Sequence, residues 1–410
     1  MEAVYRTIFF YSEGYNFRNG QVCFYFRQLV PKVGYLEYLD QLCKDGKTKQ
    51  VPPLTRKTTE LAIDRGLLYL LEFCVHLIPK DSVCYEVAKK GNLQVLQWAR
   101  SQGYPWNKRV CRAAAMYGHL EVLKWARSQG CDWDKEVCAN AASSGYLEIL
   151  QWVRLNGCEW DKWVCIGSAM GGHLKILQWA RANNCPWSEE VCTQAAENGH
   201  LEVLQWARAN NCPWNEKTCS NAAYAGHLKL LQWARANGCP WNEDTCKEAA
   251  RGGHLEVLKW ARANGCPWNE ETCSGAARAG HLELLQWARA NNCPWNENTC
   301  MARAALGGHL KVLQWLRSEG CEWDECTCAG AAWGYLEVLQ WLRSEGCPWN
   351  EDTCSNAAFG GHLEVLKWAR ANGCPWDRRV YSYAVRGDHA EVLQWIKENG
   401  YYKLNSRDSS

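Results

Sequence analysis

The amino-acid sequence predicts an all-α fold, in which about thirteen helix–turn–helix units stack side by side as a solenoid. Three observations support this prediction. A unit of about 27 residues recurs through most of the chain, as it does in repeat proteins. Each copy contains two stretches with helical periodicity, and residues that cap helices bound each stretch. Hydrophobic residues make up 47% of the 410 residues, which is enough for a buried core.

The repeat is most visible in the tryptophans, of which the chain has 25. The motif Leu-x-x-Leu-[Gln/Lys]-Trp recurs at a constant step, except that one step is a single residue longer and the next is a single residue shorter. Its tryptophans are Trp98, Trp125, Trp152, Trp179, Trp206, Trp233, Trp260, Trp287, Trp315, Trp341, Trp368 and Trp395. A second series consists of Trp106, Trp133, Trp160, Trp187, Trp214, Trp241, Trp268, Trp295, Trp323, Trp349 and Trp376. Only Trp163 and Trp333 lie outside both series.

Residues 239–265 illustrate how one unit divides into two helices. Asn242 is placed to cap the first helix, because its side chain can accept a hydrogen bond from a free N–H of the first turn. This helix carries Cys and Ala on its inner side and stops at a pair of glycines. The second helix spans about residues 254–263 and turns Leu, Val and Trp260 inward. Gly265 ends it, since glycine tolerates the left-handed conformation.

The unit resembles the ankyrin repeat. Residues 249–260 (AARGGHLEVLKW) and 264–269 (NGCPWN) match the ankyrin patterns Ala-Ala-x-x-Gly-His-Leu-Glu-Val-Val-Lys-x and Asn-Gly-Ala-Asp-Val-Asn. The unit is shorter than the ankyrin norm of about 33 residues. The missing residues fall between Asn269 and Thr272, in the ankyrin β-hairpin finger. The resemblance therefore implies an ankyrin-like solenoid with shortened hairpin loops. The short, Trp-rich form is similar to ankyrin arrays of giant viruses, of the Mimivirus and Pandoravirus type, and of some protists.

The pattern also predicts how the chain is divided. Terminal repeats of such arrays are expected to be atypical. We expect an N-terminal cap or degenerate F-box-like segment over 1–50, a degenerate first repeat over 51–83, an array of about twelve repeats over 84–400 and a flexible tail over 401–410.

The N-terminal segment resembles a degenerate F-box. Residues 8–11 (IFFY) and 22–29 (VCFYFRQL) carry the likeness, although the opening Leu-Pro of that motif is absent. The resemblance implies docking to a Skp1-like adaptor of a ubiquitin ligase. An apolar capping segment is the alternative, and it is the one that we favour.

Charge and hydropathy indicate the compartment. The net charge is +2, which argues against binding nucleic acid through bulk charge. No apolar stretch is long enough to cross a bilayer, so we expect no membrane-spanning helix, and the first residues lack the core of a signal peptide. We therefore expect an intracellular monomer in the cytoplasm, which is the host cytoplasm if the protein is viral.

Cysteine, with 25 residues, permits three interpretations. Zinc sites generally need a close Cys-x₂₋₄-Cys pair, which no complete unit supplies. Disulfides between each first-helix Cys and the loop Cys that follows it, for example Cys111 with Cys131, remain possible by count alone. We favour buried free thiols, because Cys behaves as a small hydrophobic residue. Cys326 and Cys328 form the one local exception, with surface redox chemistry as a weaker alternative.

Two further series could bind nucleic acid. The tryptophans could stack on bases, but their position on the inward side of a helix favours core packing. Arginine ends nearly every second helix, and a regular cationic row could follow a phosphate backbone. The alternative, which we favour, is that these cations suit helix C-termini and are neutralised by nearby Glu. The arginine series is Arg100, Arg127, Arg154, Arg181, Arg208, Arg235, Arg262, Arg289, Arg317, Arg343 and Arg370, with Lys397 last.

No catalytic constellation is evident. The His residues of the Gly-His-Leu motif, such as His119, His173 and His227, open second helices, where we expect a capping or packing role. The sequence contains no nucleophile–base pair, phosphate-binding loop or paired carboxylates that we can recognise. We therefore expect no enzyme activity, no cofactor and no metal.

Comparison between units separates constant from variable positions. The residue that follows the Ala-Ala pair varies from Ser to Arg to Trp, whereas its neighbours are nearly constant. In ankyrin repeats the matching positions line the concave binding surface, so the resemblance implies a protein-binding scaffold. Aromatic and Arg side chains dominate typical interfaces. We therefore place the partner-binding site on Tyr224, Arg251, Arg278, Leu306, Trp333, Phe359 and Arg386, with neutral drift at an exposed position as the alternative.

Overall fold

The computed structural model describes residues 34–399, so the F-box-like residues and the tail of residues 401–410 lie outside the described residues. Within the described range, the secondary structure consists of 27 α-helices and three short 3-10 helices, and no β-strand is formed there. The predicted all-α fold built from helix–turn–helix repeats is therefore confirmed. The chain divides into two compact units after Val191.

The described part of the first unit begins with a long N-terminal helix and continues with helix pairs. Its 3-10 helices are Thr48–Gln50, Val75–Leu77 and Lys80–Ser82. Its α-helices are α1 (Tyr35–Lys44), α2 (Arg56–Arg65), α3 (Leu68–Cys74), α4 (Val83–Lys90), α5 (Leu93–Ser101), α6 (Lys108–Met116), α7 (Leu120–Ser128), α8 (Lys135–Ser143), α9 (Leu147–Leu155), α10 (Trp163–Met170) and α11 (Leu174–Ala182).

The second unit continues the same alternation of first and second helices. Helix α12 (Glu190–Glu197) begins in the last residues of the first unit. It is followed by α13 (Leu201–Ala209), α14 (Glu216–Tyr224), α15 (Leu228–Ala236), α16 (Glu243–Gly252), α17 (Leu255–Ala263), α18 (Glu270–Ala279), α19 (Leu282–Ala290), α20 (Glu297–Leu306), α21 (Leu310–Ser318), α22 (Glu325–Ala331), α23 (Leu336–Ser344), α24 (Glu351–Phe359), α25 (Leu363–Ala371), α26 (Arg379–Arg386) and α27 (Ala390–Glu398).

The pair α16 and α17 shows why one repeat has these bounds. The Asn242 side chain accepts a hydrogen bond from the backbone N–H of Asp244 at 3.2 Å, which satisfies a free donor of the first turn, as predicted. Helix α16 ends where Gly253 turns into the left-handed region at φ 76°. Helix α17 ends in the same way before Gly265, at φ 81°.

The core of each repeat consists of small and aliphatic side chains. In the repeat of α16 and α17, Cys246, Ala249 and Leu258 are completely buried. Trp260, however, is only half-buried, so the prediction that this series fills the core is wrong. The Cys and Ala side chains bring the two helices too close together for an indole between them. The ring of Trp260 lies instead edge-on against Trp241, with ring centroids 5.8 Å apart.

In several repeats, a histidine at the start of the second helix holds neighbouring repeats together. His281 occupies the N-cap position of α19 but makes no capping hydrogen bond. Its Nε2 donates instead to the carbonyl oxygen of Arg251 in the preceding repeat, at 3.3 Å. The same bond joins His119 to Lys89 at 3.1 Å and His389 to Phe359 at 2.9 Å. The packing role predicted for these histidines is confirmed, and the capping role is wrong.

The loop cysteines provide a second link between repeats. The Cys266 thiol donates to the carbonyl oxygen of Asn242, the N-cap residue of the preceding repeat, at 3.4 Å. Cys131 and Cys374 make the equivalent bonds at 3.5 Å. The residue that caps a first helix is therefore itself positioned by the next repeat.

The change in spacing is absorbed in α20 and α22. Met301 is completely buried beside the buried Cys300, whereas Thr299 is exposed. Counted from the Ala-Ala pair of the helix, Met301 thus takes the core position that Cys occupies in the other repeats. Helix α22 is shorter, and it approaches α20 so closely that a Cβ on Gly330 would lie 2.8 Å from the carbonyl oxygen of Ala302.

Among residues 34–399, none of the helices combines the length and the apolar character needed to span a membrane.

Two glycines allow the contact between repeats to be tested. Gly253 and Gly265 both have positive φ, so alanine costs about 1–2 kcal/mol of backbone strain at each. A Cβ on Gly253 would lie 2.5 Å from the ring of His281, whereas nothing lies within 4 Å of one on Gly265. We predict that Gly253→Ala lowers the melting temperature, followed by circular dichroism, clearly more than Gly265→Ala does. Equal losses would mean that the His–Gly contact does not couple the repeats.

Buried threonines permit a second stability test. The hydroxyl oxygens of Thr218 and Thr327 are buried without a hydrogen-bond partner, while the first unit has Val at the same register, for example the buried Val137. An unsatisfied buried hydroxyl costs about 1–3 kcal/mol. We predict that Thr218→Val and Thr327→Val each raise the melting temperature, and that the reverse change Val137→Thr lowers it. A lower melting temperature in both Val variants would contradict this account.

Candidate functional site

The predicted partner-binding residues lie at matching places on successive first helices of the second unit. We call this set the helix-1 column; it consists of Tyr224, Arg251, Arg278, Leu306, Trp333, Phe359 and Arg386. Each follows an Ala-Ala or Ala-Val pair at the C-terminal end of its helix, and Trp333 lies in the turn just after α22 ends at Ala331. Because first helices pack against first helices, the column crosses the surface of the unit from one repeat to the next.

The column is exposed to different degrees along its length. Tyr224 has 44% of its surface exposed, and Arg251, Arg278 and Arg386 are also exposed. Leu306, Trp333 and Phe359 are half-buried. The later members of the column are therefore partly covered by neighbouring groups.

An aromatic cluster accounts for the partial burial of the later members. The rings of Trp333 and Phe359 meet edge to face, with centroids 5.6 Å apart. Phe359 meets Tyr383 in the same manner at 5.9 Å, and the Arg386 guanidinium lies 5.9 Å from the centroid of the Phe359 ring. Such aromatic pairs contribute about 0.5–1.5 kcal/mol each beyond their buried area. This part of the column is apolar and held in place by its own contacts.

A pocket of about 460 Å³ opens at the other end of the column. It brings together the three earlier column members, Tyr224, Arg251 and Arg278, with Lys247, Gly275 and Arg303. The Arg251 guanidinium lies 5.7 Å from the centroid of the Tyr224 ring. Glu271 also lines the pocket, so four cations, one carboxylate and one aromatic ring border it.

The backbone below these side chains is fixed by the next repeat. The carbonyl oxygens of Arg251 and Arg278 accept hydrogen bonds from His281 and His309, at 3.3 and 3.0 Å. The main chain of the column is therefore determined by the stack, while its side chains extend from it. A residue at this position can vary without loss of the contact between repeats.

A second pocket, of about 520 Å³, lies on first helices of the first unit and was not predicted. Trp163 and Met170 border it, with 53% and 43% of their surfaces exposed. Gly167 and Ala139 line its floor. The signal for it was present in the sequence, because Trp163 belongs to neither tryptophan series.

The arginine series has structural partners. The Arg262 guanidinium lies 4.1 Å from the centroid of the Trp268 ring, and its Nη1 donates to the carbonyl oxygen of Cys266. Arg235 and Arg370 make the same two contacts, with Trp241 and Trp376 as the indoles. Carbonyl and indole groups therefore take the place of the Glu side chains that the sequence predicted as partners.

The cysteines of the described residues are free thiols, and most of them are buried. Within the described residues all 24 are free, and only Cys43 and Cys326 are not fully buried. Burial raises the pKa of Cys84 to about 11 and that of Cys300 to about 12. Burial and the carboxylate of Asp324 also raise the pKa of the exposed Cys326. The raised pKa values make Cys84, Cys300 and Cys326 poor nucleophiles. Several loop cysteines differ; the hydrogen bond from Cys246, for example, lowers the pKa of Cys266. Residues 34–399 hold no cluster of three or more side chains suited to a metal ion.

Comparison with known proteins places part of the chain in a family. The family model described as ankyrin repeats (many copies) matches residues 274–317. No curated protein matches the chain.

Solved structures with partial likeness include two repeat proteins. The human ASB11 ankyrin repeat domain is 15% identical, with coverage of 38% of this chain and 84% of that one at a TM-score of 0.32. The pentatricopeptide repeat protein PPR10, in complex with an 18-nt psaJ RNA element, is 14% identical, with coverage of 89% and 72% at a TM-score of 0.38. Both TM-scores are too low to assign a binding property to this chain.

The family match covers the end of α18, all of α19 and α20 and most of α21. The same alternation of capped first and second helices is found before and after these residues. The predicted resemblance is confirmed: the ankyrin-repeat model matches residues 274–317, and the helix–turn–helix unit of these residues recurs through the described chain.

Proposed function

We propose that the protein is a non-catalytic scaffold that binds a protein partner through the helix-1 column. Ankyrin repeats generally mediate protein–protein interaction. The observation that carries the proposal is that the backbone of the column is held by His281 and His309, whereas its side chains vary and border a pocket. Tyr and Arg, which are frequent interface anchors, line that pocket.

The absence of catalysis is part of this proposal. Ankyrin-repeat proteins are typically non-catalytic scaffolds. Among the described thiols, Cys326 is the exposed one, and its raised pKa disfavours thiolate chemistry there.

Nucleic-acid binding through the arginine series is the less favoured function. Arg235, Arg262 and Arg370 already contact an indole ring and a backbone carbonyl. A phosphate would have to compete with both partners, and the net charge of +2 gives little general attraction.

A ligase-adaptor role stays a second proposal. It rests on residues 8–11 and 22–29, which lie outside the described range. Co-purification of a Skp1-like adaptor with the full chain, and its loss on deletion of residues 1–33, would support this role; co-purification that survives the deletion would contradict it.

We also propose a cytoplasmic location and the four-segment division of the chain given above. The buried free thiols support a reducing compartment, because cytosolic proteins rarely hold disulfides. A giant-virus source and a monomeric state are proposals of the same kind, based on the sequence.

Partner capture tests the scaffold proposal. We predict that the triple variant Tyr224→Ser, Arg251→Ser and Arg278→Ser captures its partner from cell extract at least about tenfold more weakly than the unchanged chain, since interface anchors each contribute about 1–3 kcal/mol or more. Ser143 occupies the same register in the first unit, so the fold should accept serine.

A matched control uses exposed positions on second helices. Lys229→Ser, Glu256→Ser and Glu283→Ser alter three exposed side chains of neighbouring repeats and should leave capture unchanged. Unchanged capture by the column variant, with normal helix content, would place the binding site elsewhere, such as the loops near Glu243 and Glu270.

A further inference from the structure

We infer that the pocket between α16, α18 and α20 recognises an acidic segment of a protein partner, whose carboxylates bind Arg278 and Arg303. This inference rests on the proposed scaffold function and adds the chemistry of the ligand. It depends on the charges in the pocket, on the residue that forms its floor and on the neighbouring surface.

The charges of the pocket do not cancel. Lys247 forms ion pairs with Glu271 at 2.6 Å and with Asp244 at 3.4 Å. Arg251 lies 3.7 Å from Glu248. Arg278 and Arg303 are exposed, border the same pocket and form no ion pair with any side chain of residues 34–399. Two unpaired guanidinium groups therefore face the same space.

The floor of the pocket exists because one side chain is missing. Gly275 takes the register at which the preceding repeats have Asn221 and Glu248. A Cβ there would meet its nearest neighbour, the carbonyl oxygen of Lys247, at 3.6 Å, which is an ordinary contact. The backbone thus has no need for glycine at this place, and its effect is to leave the pocket open.

Arg303 reaches the pocket from the first helix of the next repeat. It precedes Ala304-Ala305 as Gly275 precedes Ala276-Ala277, so both residues have the same register on adjacent first helices. The buried Met301 shows that the extra residue is absorbed towards the N-terminus of α20. Arg303 therefore adds a second cation to the pocket that Gly275 leaves open.

The size and surroundings of the pocket favour a peptide over a single ion or RNA. A volume of about 460 Å³ exceeds the need of one phosphate or carboxylate group. The column continues beyond the pocket with Leu306, Trp333 and Phe359, so the cationic surface gives way to an apolar one. RNA would require cations to continue along its phosphate backbone. Arginine binds carboxylates through paired hydrogen bonds, which suits Asp or Glu side chains.

Binding of a dye-labelled hexaglutamate peptide to the full chain, followed by fluorescence anisotropy, tests the inference. We expect saturable binding that weakens with added salt and no binding of hexaglutamine. The double variant Arg278→Gln and Arg303→Gln should weaken hexaglutamate binding at least about tenfold, because both charge-assisted contacts are lost.

Two matched variants separate the pocket from general electrostatics and from folding. Lys229→Gln with Lys311→Gln removes the same charge from exposed second-helix positions and should change the affinity less than about twofold. Gly275→Glu places a carboxylate in the floor, as Glu248 does in the preceding repeat, and should abolish binding while the melting temperature is kept or raised, since Gly is a poor helix former.

Several results would overturn the inference. Equal weakening in both double variants would show non-specific attraction, and failure to bind hexaglutamate at millimolar concentration would exclude a site for carboxylates. Tighter binding of a decauridine RNA, lost in Arg278→Gln with Arg303→Gln, would assign the pocket to nucleic acid. In the first two cases the scaffold proposal would stand if partner capture still depended on the helix-1 column.

Discussion

The hydrogen bond from a histidine to the end of the preceding first helix is the constraint on which the repeats depend. His281 can reach the carbonyl oxygen of Arg251 only because Gly253 has no side chain in the space that the imidazole fills. The positive φ of Gly253 turns the chain into the second helix at the same point. One dipeptide therefore ends a helix, starts the next one and fixes the distance between repeats. Where Tyr146 or Tyr335 replaces the histidine, the tyrosine ring occupies the same space beside the glycine of the preceding repeat.

The high content of Trp and Cys follows from how the two helices of each pair pack against each other and at their edge. First helices with Cys and Ala on the inner side allow close approach, and they leave no room for large rings between the helices. Trp241 and Trp260 meet beside the pair, and Arg235 covers the outer indole at 4.0 Å from its centroid. A guanidinium over an indole is favourable and shields the ring from water. The same stack provides a donor for the carbonyl that follows the second helix.

Much of this architecture could be predicted from local chemistry, because caps and periodicity act over a few residues. Local chemistry predicted the bounds of α17, the cap at Asn242 and the turn at Gly253. The position of Trp260 was not, since periodicity identifies the side of a helix but not how far a ring extends past its neighbour. The sequence analysis identified Tyr224, Arg251 and Arg278 but did not predict that they border a pocket. Its shape depends on Gly275 and Arg303, which come from different repeats and are brought together only by stacking.

The relation between the regular and irregular parts has a physical reason. A repeat that stacks on similar neighbours must keep its core, its caps and its contact with the preceding repeat. Only the side chains that point away from the stack can vary enough to form a binding surface. One inserted residue before Met301 and one fewer residue after Trp333 keep the later repeats in phase with the earlier ones. Between these two points the surface changes from the cations around Arg278 and Arg303 to the rings of Trp333 and Phe359. The inserted residue and the missing residue compensate each other within two repeats. The surface can therefore differ in this stretch without altering the contacts between repeats.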